Sequence, residues 1–259
     1  MKVSLITVCY NSAVTICTCF DSVFSQQGVE LEYIVVDGGS KDDTVQIIKE
    51  YSTRLSFKWI SERDEGMYDA INKGIKMATG DVVGILNADD ILESPDTLAH
   101  VAEAFADDVD AVYADIRFVK DDLNTTVRYY SAKHWKPWML QWGKMPPHPS
   151  VYIRRELFEK YGLYKLGYDI AADYELLIRY LRMAKLRTRY LNESLVRMRM
   201  GGKSTRGWKS FMTLNREIVR GNRENGYFCC FPMLLPKYLF KIFEFILPRL
   251  GIKRKGHKP

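Results

Sequence analysis

Residues 31–40 read LEYIVVDGGS: a short run rich in apolar and β-branched residues stops abruptly at Asp37-Gly38-Gly39-Ser40. Such a run, bounded by turn residues, is the mark of a strand buried on both faces, as in parallel sheets. The pattern recurs on either side. Val3–Cys9 runs into Tyr10-Asn11, and Val82–Leu86 (VVGIL) runs into Asn87-Ala88-Asp89-Asp90. Phe57–Ile60 and Ala111–Ile116 add further strands, Met67–Met77 has helical spacing, and Ser94-Pro95-Asp96 is a helix start signal. Strands alternating with helices predict an α/β fold: a mostly parallel central sheet, helices on both faces, and ligands beyond the carboxyl ends of the strands.

Beyond Asp121 the rhythm breaks. Lys133–Pro149 (KHWKPWMLQWGKMPPHP) holds three of the five tryptophans and four of the nine prolines, and reads as a loop packed over or beside a pocket. Asp173–Met183 has helical spacing, Leu186–Tyr190 is a candidate strand, and Trp208–Arg223 reads as a basic amphipathic helix. The net charge of +6 conceals a division: residues 1–120 carry 10 Lys+Arg against 21 Asp+Glu, and the remainder 28 against 11. The acidic part suits a cation, the basic part a diphosphate or an anionic membrane surface. Five cysteines without zinc-ligand spacing, in a chain of 259 residues, point to reduced thiols and a cytoplasmic location. The opening MKVSLITVCYN reads as neither a signal peptide nor a membrane span.

The chemistry gathers at the strand ends: Thr7, Tyr10 and Asn11 after the first, Asp37, Gly38 and Ser40 after the second, Asn87, Ala88 and Asp89 after the fourth. Side chains of this kind suit a base and ribose, and a diphosphate beside carboxylates needs a divalent cation between them, Mn²⁺ or Mg²⁺. Any one cluster could instead cap a helix or turn the chain. Three clusters on one sheet edge favour a binding site.

The segments SLITVCYN, VFSQQ, YIVVDGGSKDDT, DEGMYDAINKGIKMATGD and GILNADD resemble, in this order, a family 2 glycosyltransferase. MPPHPSVYIRRELFEKYGLY, DIAADYELLIRY and LVRMRMGGKS are similar to the branch that builds bacterial capsule, exopolysaccharide or O-chains. The resemblance implies a GT-A fold with a Rossmann-like sheet over residues 1–205, divided into a nucleotide-sugar half (1–120) and an acceptor half (121–205). A helical extension, 206–259, follows.

What the resemblance implies for function is an inverting transferase that moves a sugar from a nucleoside diphosphate, UDP or GDP, to a hydroxyl of a glycan or polyprenyl-linked acceptor. Tyr10, Asn11 and Asp37 would contact the base. Many relatives carry two aspartates before Gly-Ser, whereas here Gly38 takes the second position and a carboxylate contact is lost. In place of Asp-x-Asp stands Asn87-Ala88-Asp89, which leaves Asn87 for a ribose hydroxyl and Asp89 as the metal ligand; Asp90 could join the metal or cap a helix. Asp64, Glu65, Asp69 and Asn72 would lie near the nucleotide, although the acidic residues also suit a helix start. DIAADYELL offers Asp169, Asp173 and Glu175 as a general base for the acceptor hydroxyl; Asp173 aligns with the catalytic carboxylate, its alternative being an N-cap.

His148 and Trp142 are candidates for shaping an acceptor pocket, and Arg197 to Ser204 for a basic loop over the diphosphate. Lys237–Leu247 (KYLFKIFEFIL) with the lysines and arginine after it reads as an interfacial helix, holding the enzyme peripherally on the cytoplasmic face of an inner membrane. A dinucleotide-dependent oxidoreductase would need G-x-G-x-x-G after the first strand, and Val8-Cys9-Tyr10-Asn11 has no glycine. A nucleic-acid-binding protein would use the basic half but leave the acidic strand ends idle.

Overall fold

The structure, a computed structural model, describes residues 1–105, 108–200 and 207–238. Four parallel strands form the first half of the sheet: β1 (Lys2–Cys9), β2 (Glu30–Asp37), β3 (Lys58–Ser61) and β4 (Val82–Asn87), in the order β3-β2-β1-β4. Both faces of these strands are covered, which is why they read as continuous apolar runs. Val3 and Leu5 of β1 enter one core with Phe20 and Val23 of α1 (Ile16–Phe24) and Ile48 of α2 (Thr44–Ser52). Ile6 and Val8 enter the other, beneath α3 (Met67–Met77). Helix α3 lies so close to β1 that a Cβ on Gly74 would stand 2.5 Å from Ile6 Cγ2, which makes glycine necessary there.

Beyond β4 the sheet becomes mixed. The short β5 (Ile91–Leu92) and α4 (Thr97–Ala104) lead to β6 (Ala111–Val119) and β7 (Thr126–Tyr130), then β8 (Tyr152–Arg154) and α5 (Glu156–Tyr161). β8 runs antiparallel between β4 and β6, so the continuous order is β4-β8-β6-β9-β5, with β7 paired to β6. α6 (Ala172–Leu177) passes into a π-helical turn, Ile178–Met183. β9 runs from Thr188 to Arg199, twelve residues rather than the five expected from sequence, and lies parallel to β6. Arg197 and Arg199, expected in a loop, are therefore the end of a strand.

Helix α7 (Gly207–Glu224) folds against α6 through polar bonds as well as its apolar face. Glu217 accepts hydrogen bonds from the backbone amides of Asp169, Ile170 and Ala171 at 2.7, 2.9 and 2.8 Å. Asn225 donates to Glu175 at 3.1 Å, and Arg220 to the Gly167 carbonyl at 2.8 Å. Among the described residues no helix is long and apolar enough to cross a membrane. Gly201 to Ser204 and the segment from Phe240 onward, where the interfacial helix was expected, lie outside the described residues.

Candidate active site

The register of β1 assembles the strand ends. Cys9 stands opposite Asp37 on one side and Val8 opposite Asn87 on the other, so the loops after β1, β2 and β4 open side by side on one edge. Asn11, in the left-handed region (φ 50°), joins the first two: its amide donates to Ser40 Oγ at 2.8 Å, and its Oδ1 accepts from the Lys41 amide at 2.9 Å. Asparagine tolerates this conformation better than most residues with a Cβ. Tyr10 beside it is 58% exposed and presents an open aromatic face at the edge.

The carboxylates at this edge differ. Asp37 is fully buried and saturated: it accepts from the amides of Gly39 (3.1 Å) and Ser40 (3.0 Å) and from the hydroxyls of Ser61 (2.7 Å) and Ser40. It builds the loop, which corrects its expected contact with a base. Thr7 is corrected likewise. It is fully buried, accepts a hydrogen bond from the Tyr33 hydroxyl at 2.9 Å, and contacts Cys19 Sγ at 3.8 Å.

Asn72 is a third correction. Its amide is paired with the main chain of Tyr164 in both directions, at 2.9 and 3.0 Å, so it ties α3 to the second half of the chain instead of facing a ribose. Asp69 lies in the first turn of α3, accepts from the Glu65 amide at 3.2 Å and pairs with Lys73 at 3.5 Å, the helix-start alternative. Ala88 packs its methyl into the core, so only its backbone remains for a ligand.

Asp89 and Asp90, adjacent in sequence, part company. Asp90 is fully buried, accepting from Asn87 Nδ2 at 3.0 Å and from the Arg199 amide at 3.3 Å. Burial and, next, the charge of Asp89 push its carboxyl up to about 8. It caps no helix. Asp89 is half-buried, and among the described residues its carboxylate takes no hydrogen bond; its carbonyl accepts from Arg199 Nε at 3.0 Å. Arg199 also reaches Thr18 Oγ1 (3.0 Å) and the Asp121 carbonyl (2.9 Å), whereas Arg197 is tied to Glu93 at 3.0 Å.

The donor set fits a hard divalent cation in one manner only. Among the described residues no three His, Cys, Asp or Glu side chains are grouped to hold a metal, so a cation at Asp89 would draw its remaining ligands from phosphate oxygens and water. Mg²⁺ and ions like it bind in that way, through one or two carboxylates and the substrate.

Asp173 arrives at the same edge from the second half of the chain. α3 begins where β3 ends, at the carboxyl edge, and Tyr68 in its first turn donates to the Ile170 carbonyl and to Asp173 Oδ1 at 3.3 Å. Asp173 sits inside the first turn of α6, not at its N-cap, with Oδ1 accepting from the Tyr174 amide at 2.7 Å. Burial raises its carboxyl above the usual range, against the opposing influence of His148, the Tyr174 amide and Tyr68. Burial also lowers His148, whose Nε2 is 2.7 Å from the Tyr164 hydroxyl. The Tyr164 ring stacks on Tyr68 at 5.8 Å.

The neighbouring acids are spent or exposed. Glu175 is fully buried between Arg179 (2.9 Å) and Lys165 (3.0 Å), while Asp169 is exposed. Tyr68, Tyr164 and Glu217, which hold Asp173 and its loop, were not singled out in the sequence. Tyr68 adjoins a conspicuous acidic pattern, but Glu217 carries no signal beyond its place on an amphipathic helix.

A parallel half-sheet whose carboxyl edge carries polar loops, continued by a mixed half that returns a carboxylate to that edge, defines a glycosyltransferase of the GT-A fold. The chain belongs to the family described as Glycosyl transferase family 2, whose profile matches residues 4–164. It is 34% identical over 193 residues to a PGL/p-HBAD biosynthesis glycosyltransferase of Mycobacterium bovis, covering 73% of each chain. An uncharacterized glycosyltransferase of Mycobacterium tuberculosis is 31% identical, covering 68% of each. Among solved structures, S. aureus TarS 1-349 in complex with UDP-GlcNAc superposes with a TM-score of 0.64 at 19% identity, covering 98% of this chain and 76% of that one. The mannosyltransferase PcManGT from Pyrobaculum calidifontis, in complex with GDP-Man and Mn²⁺, gives 0.65 at 20% identity, covering 96% and 71%. These likenesses carry the fold.

Proposed function

We propose that this glycosyltransferase is an inverting enzyme that takes a sugar from a nucleoside diphosphate, UDP or GDP, and passes it to a hydroxyl of a glycan or polyprenyl-linked acceptor in bacterial surface polysaccharide synthesis. The observation that carries this reading is the bond from Tyr68 to Asp173, which sets a carboxylate from the second half beside the edge where the loops of β1, β2 and β4 open. Inversion needs one in-line displacement, and hence one base to take the acceptor proton.

In this reading Tyr10 and the loop of Asn11 and Ser40 bind the nucleoside, and the Asn87 carbonyl oxygen accepts from a ribose hydroxyl. Asp89 holds Mn²⁺ or Mg²⁺ against the diphosphate; such a cation, when bound, neutralises charge on the leaving group. Asp173 accepts the proton of the attacking hydroxyl. Its position beneath Tyr68 and beside His148 keeps water away and its basicity up. The named complexes of similar fold, one with UDP-GlcNAc and one with GDP-Man and Mn²⁺, support the donor class and the metal.

Peripheral attachment to the cytoplasmic face of the inner membrane is part of the proposal. Trp138 and Trp142 are exposed, as are Phe228, Phe231 and Leu235, and a bond from Gln141 Nε2 to the Phe228 carbonyl at 2.7 Å sets the two groups side by side. An exposed aromatic cluster next to a basic C-terminal segment suits an anionic lipid surface.

Replacing Asp173 by Asn tests the base. Turnover should fall about 10²- to 10⁴-fold, while calorimetric binding of UDP or GDP with Mn²⁺ stays within about threefold of the parent. The wild-type kcat/KM should decline on the acid side with a midpoint above the ordinary aspartate value of about 3.9, because the base must be ionised and burial raises its pKa. Unchanged turnover in Asp173→Asn would remove it from the chemistry.

A further inference from the structure

Gly38 lies buried at the centre of the nucleoside side of the edge, between the ends of β1 and β3: its amide donates to the Cys9 carbonyl at 2.9 Å, and the next bond pairs Glu62 with the Asp37 carbonyl at 3.0 Å. Its φ is not in the left-handed region, so its backbone would accept a side chain. What forbids one is space. A Cβ on Gly38 would stand 2.3 Å from Oδ2 and 3.0 Å from Cγ of Asp64. The volume that a side chain at 38 would fill is taken by a carboxylate from the loop after β3.

Asp64 is also poised. Its Oδ1 accepts from the Gly66 amide at 2.9 Å, which fixes the group, while Oδ2 takes no hydrogen bond among the described residues. Gly66 adopts φ 117°, a backbone that residues with a Cβ rarely reach, so the turn that aims Asp64 depends on that glycine. Asp37 cannot serve in its place, since its oxygens are already committed to Gly39, Ser40 and Ser61. Asp64 is half-buried, and the exposed ring of Tyr10 stands at the end of the neighbouring strand.

From this geometry we infer that Asp64 reads the base of the donor, occupying the place that Gly38 leaves empty, with Tyr10 offering the stacking face. A carboxylate is an acceptor only. It therefore selects bases whose pairing edge carries a ring N–H, namely uracil, thymine or guanine, and disfavours cytosine and adenine, which present a lone pair there. The inference rests on the donor reading above and names the part of the donor that this site discriminates.

Calorimetric titration of the full chain with UDP, CDP, GDP and ADP, each with Mn²⁺, tests it. Wild-type protein should bind UDP or GDP about ten- to a hundredfold more tightly than its partner lacking the N–H, CDP or ADP. Asp64→Ala should reduce that ratio to within about threefold, with the affinity contributed by the diphosphate retained. Gly38→Asp alone should bind poorly, because it forces a second carboxylate into occupied space. The pair G38D/D64G should recover the wild-type ratio, which a merely structural role for Asp64 would not produce. An Asp64→Ala ratio equal to that of wild type overturns the inference and leaves the donor reading intact, as does a wild-type protein indifferent to the base. Absence of binding by all four nucleotides overturns both.

Discussion

The loops after β2 and β4 flank β1 and begin alike, with an acidic or amide residue ending an apolar strand, yet they differ in what they leave available. In the first, Asp37 is buried and its oxygens accept from two amides and two hydroxyls. In the second, Asp90 is turned inward to Asn87 and β9, while Asp89 keeps a carboxylate that no described residue engages. A carboxylate whose acceptor sites are filled by the protein is part of the scaffold; one whose sites are open is available to a ligand. The difference arises from donors such as Ser61 and Arg199, brought in from 24 and 109 residues away.

The comparison can be broken by substitution. The largest effect is expected at Asp89→Ala: transfer should fall about 10³-fold or more and Mn²⁺-dependent donor binding should weaken in parallel, with Tm changed by no more than about 2 °C. A Tm collapse there would show that Asp89 belongs to the scaffold after all. Next comes Asp37→Ala, which leaves four donors unsatisfied and should lower stability by about 2–4 kcal/mol, read as a fall in Tm of roughly 5–12 °C. If Asp37→Ala kept its Tm but lost nucleotide affinity, Asp37 would face the ligand and the contrast would fail. The smallest effect is expected at Thr7→Val, where the loss of one acceptor for Tyr33 should cost about 1 kcal/mol in denaturant unfolding and leave donor affinity within about twofold.

The halves of the chain were unequally legible. β1, β2, α3 and β4 could be read because their signals are local: strands covered on both faces are continuously apolar, and the polar residues that end them follow at once. β9 was read short because TRYLNESLVRMR mixes charged and apolar residues, and its pairing partner β6 is distant in sequence. The paired strand β8 has only three residues, too few to show a period. Within the site, Tyr10, Asn11, Ser40 and Asn87 stand at the expected edge. Thr7, Asp37 and Asn72 were polar in the right stretch of chain but are consumed by the fold.

The chain itself determined the strand ends, their order, and the types of polar residue they carry, because apolar periodicity and turn chemistry act over a few residues. Which of those residues remain available was decided only in three dimensions. Asp37 is taken by Ser61, Asn72 by Tyr164, and the place left empty at Gly38 by Asp64; Asp173 reaches the edge through a tyrosine 105 residues earlier. A hydrogen-bonding group buried in the fold must find a partner, and the sequence does not specify which distant residue will supply it.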